Sequence, residues 1–344
     1  MPGALEELFR RIWWTPRPGA ASRLLQPLAA LYGVLQRRHA RRSAPAAALA
    51  VPVLVVGNVV VGGAGKTPTV IAVVAWLARC GHRPGIVSRG HGRAGSGPRL
   101  VVPADSACDV GDEPLLLARR SGVPMVVGRD RVAAARLLLE AHPDVDVIVA
   151  DDGLQHHALP RRAELLVFDE RGAGNGLLLP AGPLREPLPR QLAAGRHLLY
   201  TAGAASTPLP GACATRRLQR AWPLAAWHAG DAASAVPLAA LQGRPLLAAA
   251  GLAEPRKFFA MLREAGLQVQ TLPLPDHHPY ATLPWPATGC DVLITEKDAV
   301  KIDPARAAGR PVWVLPLDLD VPKTLLDALH AELFGPRPAN APTP

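Results

Sequence analysis

Val53-Leu54-Val55-Val56-Gly57-Asn58-Val59-Val60-Val61-Gly62-Gly63-Ala64-Gly65-Lys66-Thr67 begins as an apolar run and ends in a glycine-rich turn that carries a lysine and a hydroxyl. The β-branched run predicts a buried strand, and a helix is expected next, from Thr69 to about Cys80. A strand, a glycine loop and a helix in that order make a cradle for phosphate. Glycines let backbone N–H groups close around anionic oxygens, and the helix amino terminus adds partial positive charge. In such a loop Lys66 would reach the β- and γ-phosphates of a nucleotide, and the Thr67 hydroxyl would bind Mg²⁺. Glycine is usual at the position of Val60, so the GGxGKT variant over Gly62–Thr67 fits better.

Working outward, Val147-Ile148-Val149-Ala150-Asp151-Asp152 is an apolar run ending in two acids. An acid at a strand end is the expected partner of a phosphate loop, holding Mg²⁺ directly or through water. Between and beyond these runs the pattern alternates. Strands are expected at Gly85–Ser88, Pro124–Val127, Val145–Ala150 and Leu165–Phe168, and helices at Leu115–Arg120 and Arg131–Ala141. Such alternation predicts an α/β fold, a mostly parallel sheet of phosphate-loop type flanked by helices. Residues 201–243 are rich in Ala, Pro and Gly and give weak signals. Order resumes with expected strands at Pro245–Ala250, Val292–Thr295 and Val312–Leu315 and a helix over Glu254–Ala265, read as a second, smaller α/β domain. The expected division is a basic amphipathic segment over 1–42, the nucleotide core over 43–200, the smaller domain closing over the site at 201–330, and a loose Pro-rich tail at 331–344.

Composition narrows the partners. The 344 residues are 49% hydrophobic and 19% charged, which suits a large core and excludes a disordered chain. The net charge is +10, and residues 1–42 carry eight arginines against two glutamates. That field favours anions. Aromatics are only 4% and no reader motif accompanies the charge, so nucleic acid is not the expected partner. Lysine is rare: Lys66, Lys257, Lys297, Lys301 and Lys323 are all there are. A lysine kept where arginine is the habitual cation points to a need for its compact ammonium. Cys80, Cys108, Cys213 and Cys290 lie far apart, with neither disulfide nor zinc spacing, and read as reduced thiols. The most apolar stretch, Ala44–Val56, is too short to span a bilayer and contains Pro45 and Pro52. A cleaved signal peptide is not expected either, because Glu6 and Glu7 precede the apolar Leu24–Leu35 and arginines interrupt it.

Further polar clusters fall at expected strand ends and loops: Ser88–Arg93, Gly111–Pro114, Gly128–Arg131, Gln155-His156-His157 and Leu184–Pro187. The smaller domain adds Asp276-His277-His278 and Thr295-Glu296-Lys297-Asp298. Each alone is as well explained by a cap, a turn or a solvated pair. Glu296-Lys297-Asp298 lacks the spacer of an NKxD guanine reader, so ATP is expected over GTP.

These motifs, in this order, resemble the tetraacyldisaccharide 4′-kinase family, the lipid A 4′-kinases of Gram-negative bacteria. The resemblance runs from Trp13-Trp14 to Lys301 through Gly62–Pro68 (GGxGKTP), Ser88–Arg93 (SRGxGR), Gly111–Pro114 (GDEP), Asp151–His156 (DDGxQH), Leu179–Pro187 (LPAGxLREP), Asp276–His278 (DHH) and Thr295–Lys301 (TEKDAVK). Two positions depart from the family: Ala64 stands where Thr is usual and His91 where Tyr is usual. Ala64 removes a hydroxyl near the phosphates, while Lys66 and Thr67 remain.

The resemblance implies transfer of the ATP γ-phosphate to the 4′-hydroxyl of a tetraacyl glucosamine disaccharide 1-phosphate, giving lipid IVA at the cytoplasmic face of the inner membrane. It implies a base, Asp112, assisted by His277, with Lys66 and Arg185 also catalytic. Gly62, Gly63, Ala64, Gly65, Lys66, Thr67 and Pro68 would hold the nucleotide, and Thr67, Asp151, Asp152 and Glu186 the metal. Asn58, Arg89, Arg93, Gln155 and His156 would meet the anionic glycolipid. Two other classes compete: an ATPase that switches an assembly, and a non-catalytic membrane module. The GDEP acid and the DHH cluster argue against the first, since a switch needs no acceptor base. The intact Lys66-Thr67 and Asp151-Asp152 argue against the second.

The amino-terminal segment admits two readings. Leu5, Leu8, Phe9, Ile12 and Trp13, and then Leu24, Leu25, Leu28, Leu31 and Leu35, recur at helical spacing beside arginines. That pattern fits a helix packed on the core and equally a helix lying in a membrane interface, in peripheral association.

Overall fold

The computed structural model describes residues 2–43, 46–93, 95–286, 289–307 and 309–335, with backbone alone over 2–7. Two helices, α1 (Pro2–Trp13) and α2 (Ala20–Arg42), precede the first strand. An eight-stranded sheet then forms from β1 (Val53–Gly57), β2 (Pro84–Ser88), β3 (Arg99–Leu100), β4 (Met125–Val127), β5 (Val147–Asp151), β6 (Ala163–Phe168), β7 (Arg196–Tyr200) and β8 (Ala212–Cys213). Its order is β3-β4-β2-β5-β1-β6-β7-β8, parallel throughout except for the antiparallel edge strand β3. The expected fold class is the one observed.

β1 and β5 are buried over every residue, as strands covered on both faces must be. Alternation sorts their side chains. Leu54 and Val56 face a core with Val70, Val73, Val74 and Leu77 of α3 (Lys66–Arg79), while Val53 and Val55 face Val132, Ala135 and Leu138 of α6 (Arg131–Ala141). Between these helices come the short α4 (Ala107–Val110) and α5 (Asp112–Ser121). α5 starts earlier than the sequence suggests, so Asp112 is its first residue and not part of a loop. Pro114 permits this, because a first-turn residue has no intrahelical partner for an N–H and loses nothing by lacking one.

The chain leaves this unit through β9 (Thr215–Arg217), continuing into β10 (Arg220–Pro223), α7 (Leu224–Ala229), β11 (Val236–Pro237), β12 (Leu246–Ala250), α8 (Pro255–Glu264), β13 (Val269–Pro273), β14 (Asp291–Thr295), α9 (Glu296–Ala299) and β15 (Val312–Leu315). Strands β10 to β15 form a six-stranded sheet in the order β11-β10-β15-β14-β12-β13. The chain returns through β16 (Asp318–Asp320), which pairs antiparallel with β9, so the outward and return passes form one two-stranded ribbon. The last helix, α10 (Lys323–Phe334), then packs Leu325, Leu326, Leu329 and Leu333 onto the α3 face of the large sheet. The Pro-rich residues 336–344 lie outside the described residues.

An ion cluster ties the two units. Arg120, at the end of α5, donates to both carboxylate oxygens of Glu296 (2.8 and 2.9 Å) and to Asp318 (2.6 Å). The indole N–H of Trp227 also donates to Glu296, at 3.1 Å. Glu296 is only 5% exposed, so its charge depends on these partners.

Candidate active site

β1 and β5 are adjacent and in register, with Val56 opposite Asp151, so the loops at their carboxyl ends meet. Gly62 and Gly65 both adopt positive φ, +88° and +87°, which curls the loop before the first turn of α3. A Cβ on Gly65 would also strike the Thr201 side chain at 2.9 Å. Lys66 reaches back over the loop, its Nζ 3.4 Å from Asn58 Oδ1 and 3.5 Å from Asp152 Oδ1. Gly62, Gly63, Gly65, Lys66, Thr67 and Pro68 open on a cleft of about 500 Å³ between the two units. Ala64 is fully buried, and its carbonyl accepts the Thr201 hydroxyl at 3.1 Å.

Asp151 is 2% exposed. One of its oxygens accepts the Ser88 hydroxyl at 3.0 Å, and the other, Oδ1, is buried with no hydrogen-bond partner among the described residues. Burial, with Glu113 and Asp152 nearby, pushes its carboxyl up to about 7. An orphaned carboxylate oxygen under that pressure beside a phosphate cradle fits a divalent cation. Asp152 sits at φ +49°, a costly conformation for a non-glycine residue, and it gathers cations: Lys66, and Arg185 at 3.4 Å. Burial works to raise Asp152, but Lys66, Arg185 and Arg131 outweigh it and hold the carboxyl below its ordinary range.

The other candidates divide into those at the cleft and those behind it. Arg89 and Arg185 line it. Asn58, expected to meet substrate, is fully buried and braces the loop, its Nδ2 donating to the Gly62 carbonyl at 3.2 Å. Gln155 links that brace outward. It donates to the Asn58 carbonyl (3.2 Å) and to Glu186 Oε1 (3.3 Å), and it accepts from Arg185 (3.4 Å). Glu186 and His156 do not line the cleft; Glu186 reaches it through Gln155, and His156 lies 3.7 Å from Asp130. Arg93 also stands off the cleft and donates to the Gly97 carbonyl.

The opposite wall comes from two units. Asp112 is 7% exposed at the start of α5, where the helix dipole favours its negative charge. Gly111 precedes it at φ +97°, packed so tightly that a Cβ would strike the His91 carbonyl at 2.9 Å. From the smaller unit His277, itself at φ +56°, brings Nδ1 to 2.8 Å from Asp112 Oδ2 on the same wall. Burial acts to raise the Asp112 carboxyl. The His277 hydrogen bond and the Lys297 and Lys301 ammoniums override it, so Asp112 is held ionised below the ordinary range. The same hydrogen bond raises His277, against burial and Lys297.

A third group was not singled out from the sequence. Asp169, at the end of β6 and 1% exposed, accepts Lys257 (2.7 Å) and Arg171 (2.9 Å). Arg171 also donates to the Gly63 carbonyl at 2.5 Å and stacks on Trp14, 4.4 Å from its ring centre. Lys257 belongs to α8, so this group joins the phosphate loop to the smaller unit. The scarcity of lysine was the available signal: Lys66, Lys257 and Lys297 line the cleft and Lys301 lies 4.0 Å from Asp112.

The arm sits beside this site. α2 buries Ser22, Ala29 and Gly33 along one face, and Tyr32 donates to the Arg185 carbonyl at 3.0 Å. Its opposite face leaves Leu24 (82%), Leu28, Leu31 and Leu35 exposed. No described helix is long and apolar enough to cross a membrane.

The model of the tetraacyldisaccharide-1-P 4′-kinase family matches residues 21–333. The tetraacyldisaccharide 4′-kinase of Methylibium petroleiphilum is 54% identical, over 96% of this chain and 94% of its own. That of Leptothrix cholodnii is 52% identical, over 98% and 100%. Among solved structures, LpxK from Aquifex aeolicus in complex with ATP superposes with a TM-score of 0.74 at 27% identity, covering 91% of this chain and 99% of its own. The chain belongs to the tetraacyldisaccharide-1-P 4′-kinase family and is an ATP-dependent tetraacyldisaccharide 4′-kinase of lipid A biosynthesis.

Proposed function

We propose that the cleft aligns the ATP γ-phosphate, held by Gly62–Pro68, with a sugar 4′-hydroxyl held against Asp112 and His277. The observation that carries this reading is the 2.8 Å contact of His277 with Asp112, which faces a wall built of Lys66, Asp151 and Asp152. Asp112 takes the hydroxyl proton as the 4′-oxygen bonds to the γ-phosphorus. The bond from that phosphorus to the β,γ-bridging oxygen breaks, and ADP leaves with the electron pair. His277 holds the carboxylate in place. Lys66 and Arg185 meet the charge that spreads over the transferring phosphoryl group. Thr67, Asp151 and Asp152 would hold Mg²⁺, which when bound neutralises phosphate charge; Glu186 would act behind them through Gln155. Arg89 and Arg185 would meet the anionic glycolipid, and Asn58, Gln155, His156 and Arg93 would support those contacts.

The arm is read as a membrane rest on the cytoplasmic face of the inner membrane. The exposed leucines of α2 and the arginines around them would lie in the headgroup region, which brings the Arg185 loop to the lipid surface. The test is to incubate the protein with ATP, Mg²⁺ and a tetraacyl disaccharide 1-phosphate in mixed micelles and weigh the product. Gain of one phosphoryl group is expected, and none with a 4′-O-methyl substrate. Phosphate release without lipid phosphorylation would return the chain to the ATPase-switch class.

A further inference from the structure

The contact between His277 and Asp112 uses only one face of the imidazole. The other nitrogen, Nε2, lies 3.3 Å from Lys297 Nζ. Lys297 stands at the start of α9 with its side chain 16% exposed, and its ammonium is itself held by Asp276 and Glu113, each at 3.3 Å. An ammonium has no lone pair to offer. A proton on Nε2 would therefore point at a fixed cation, so the contact requires Nε2 to accept and Nδ1–H to donate to Asp112.

We propose that Lys297 is a positioning residue. It selects the Nδ1–H tautomer of His277 and opposes a second proton on Nε2, so that the ring donates to Asp112 from Nδ1 while its other edge faces the ammonium. This rests on the reading of Asp112 and His277 as the base pair given above.

The charged surroundings support it. From α5 come Asp112 and Glu113, from His277's own loop Asp276 and His278, from α9 Lys297, and one turn on Lys301. His91 faces the ring at 6.2 Å. Among the described residues Asp112 is the one carboxylate in hydrogen-bond contact with the ring; Asp276 lies 3.8 Å from Nε2 and turns its other oxygen to Lys297. Burial acts to discharge Lys297, but Glu113, Asp276 and Asp112 outweigh it, so Lys297 is the group that keeps its proton. An imidazolium beside Asp112 would depress the carboxylate's basicity and weaken it as a proton acceptor. Lys297 opposes that state, and a conservative cation at this position should keep the opposition.

The test follows the His277 ring by NMR titration of histidine-labelled protein, assigned by comparison with His277→Gln. Lys297→Met and Lys297→Gln should each raise the His277 midpoint by about one to two pH units, the scale of a like charge within contact distance. The acid limb of kcat should move up with it. Turnover then falls by about tenfold near neutrality and recovers in alkaline buffer. Lys297→Arg should keep the parental midpoint. A merely structural lysine would lower kcat equally at all pH values and leave the ring's titration alone. An unmoved or lowered His277 midpoint in both uncharged variants overturns the proposal. Parental turnover in Asp112→Ala would instead remove the base reading, and it is a separate measurement.

Discussion

The wall of the cleft that carries Lys66 lies within the larger unit and is built on a phosphate loop of sequence neighbours, whereas the wall that carries His277 joins residues 165 positions apart in two units. In the first, Asn58, Gly62, Gly65 and Lys66 fall within one strand–loop–helix, and the lysine reaches its brace eight residues back. In the second, Asp112 starts a helix in the larger unit and His277 sits in a loop of the smaller, and the ion cluster of Arg120, Glu296 and Asp318 is one of the contacts that tie those units together. A contiguous wall keeps its geometry whatever the units do. A composite wall exists only while they are apposed, and on the reading proposed above that would couple proton removal to apposition of the units.

The largest expected effect tests the composite wall. Asp112→Ala and His277→Ala should each lower kcat by about 10²–10⁴-fold, the usual worth of a positioned base, with little change in ATP affinity. If the pair acts as one device, the double variant is no worse than the worse single. Multiplicative losses would break the comparison, since the two halves of the wall would then act independently.

The contiguous wall is tested by Lys66→Ala. Loss of one preorganised cation at the transferring phosphoryl group should reduce turnover by about 10²–10³-fold. The melting temperature should hold, because a side chain facing the ligand contributes little packing. Near-normal kcat would mean the loop binds phosphate without taking part in transfer.

These walls also differ in how far they were legible beforehand. The phosphate loop could be read because its chemistry and its spacing are the same thing: glycines, a lysine and a threonine at fixed offsets between a strand and a helix. β1, β2, β5, β6, β14 and β15 were likewise visible as short apolar runs, and α6 at its full Arg131–Ala141 span. Asp112 and His277 were named only through family resemblance. Nothing local distinguishes an acid before a proline or a histidine beside another. Asn58 was named a substrate ligand only through the resemblance, and packing places it beneath the loop. Asp169 and Arg171 were missed because a strand ending in Asp is commonplace, and the partner that marks this one, Lys257, lies 88 residues away. α10 went unassigned because its burial against the larger core is a tertiary fact.

The joint between the walls is probed by Arg120→Ala. Among the described residues it leaves the Glu296 side chain buried, beside Asp318, with the Trp227 N–H as its one remaining hydrogen-bond donor. Breaking one partner of a buried pair costs about 3–5 kcal/mol, which denaturant unfolding would measure. Arg120→Met with Glu296→Gln should recover much of that, because the orphaned charge goes as well. A loss below about 1 kcal/mol for Arg120→Ala would show the units held by other contacts, and the composite wall would then need another cause.

The smallest effect on the chemistry is expected from a region that belongs to neither wall. α2 meets the segment that leads to Arg185: Ser22 accepts from Asn175 at 3.0 Å, Tyr32 donates to the Arg185 carbonyl, and a Cβ on Gly33 would meet Leu178 at 2.9 Å. Deleting the arm would therefore uncover that segment and confuse two effects, so point changes on its outer face are cleaner. Leu24→Ser, Leu28→Ser and Leu31→Ser together remove exposed apolar surface without touching the packed side. Partial immersion of three leucines is worth about 2 kcal/mol, so partition onto anionic vesicles should weaken by about 30-fold. The arginine share of binding should fade as salt rises while the leucine share persists, because screening acts on exposed charge and not on apolar burial. ATP affinity and ATP-dependent protection of the P-loop should not change. Turnover on micellar lipid should fall less than vesicle binding does, since a micelle brings substrate to the cleft from solution. Unchanged vesicle partition in the triple variant would assign the outer leucines no membrane role and leave α2 as a brace for Arg185.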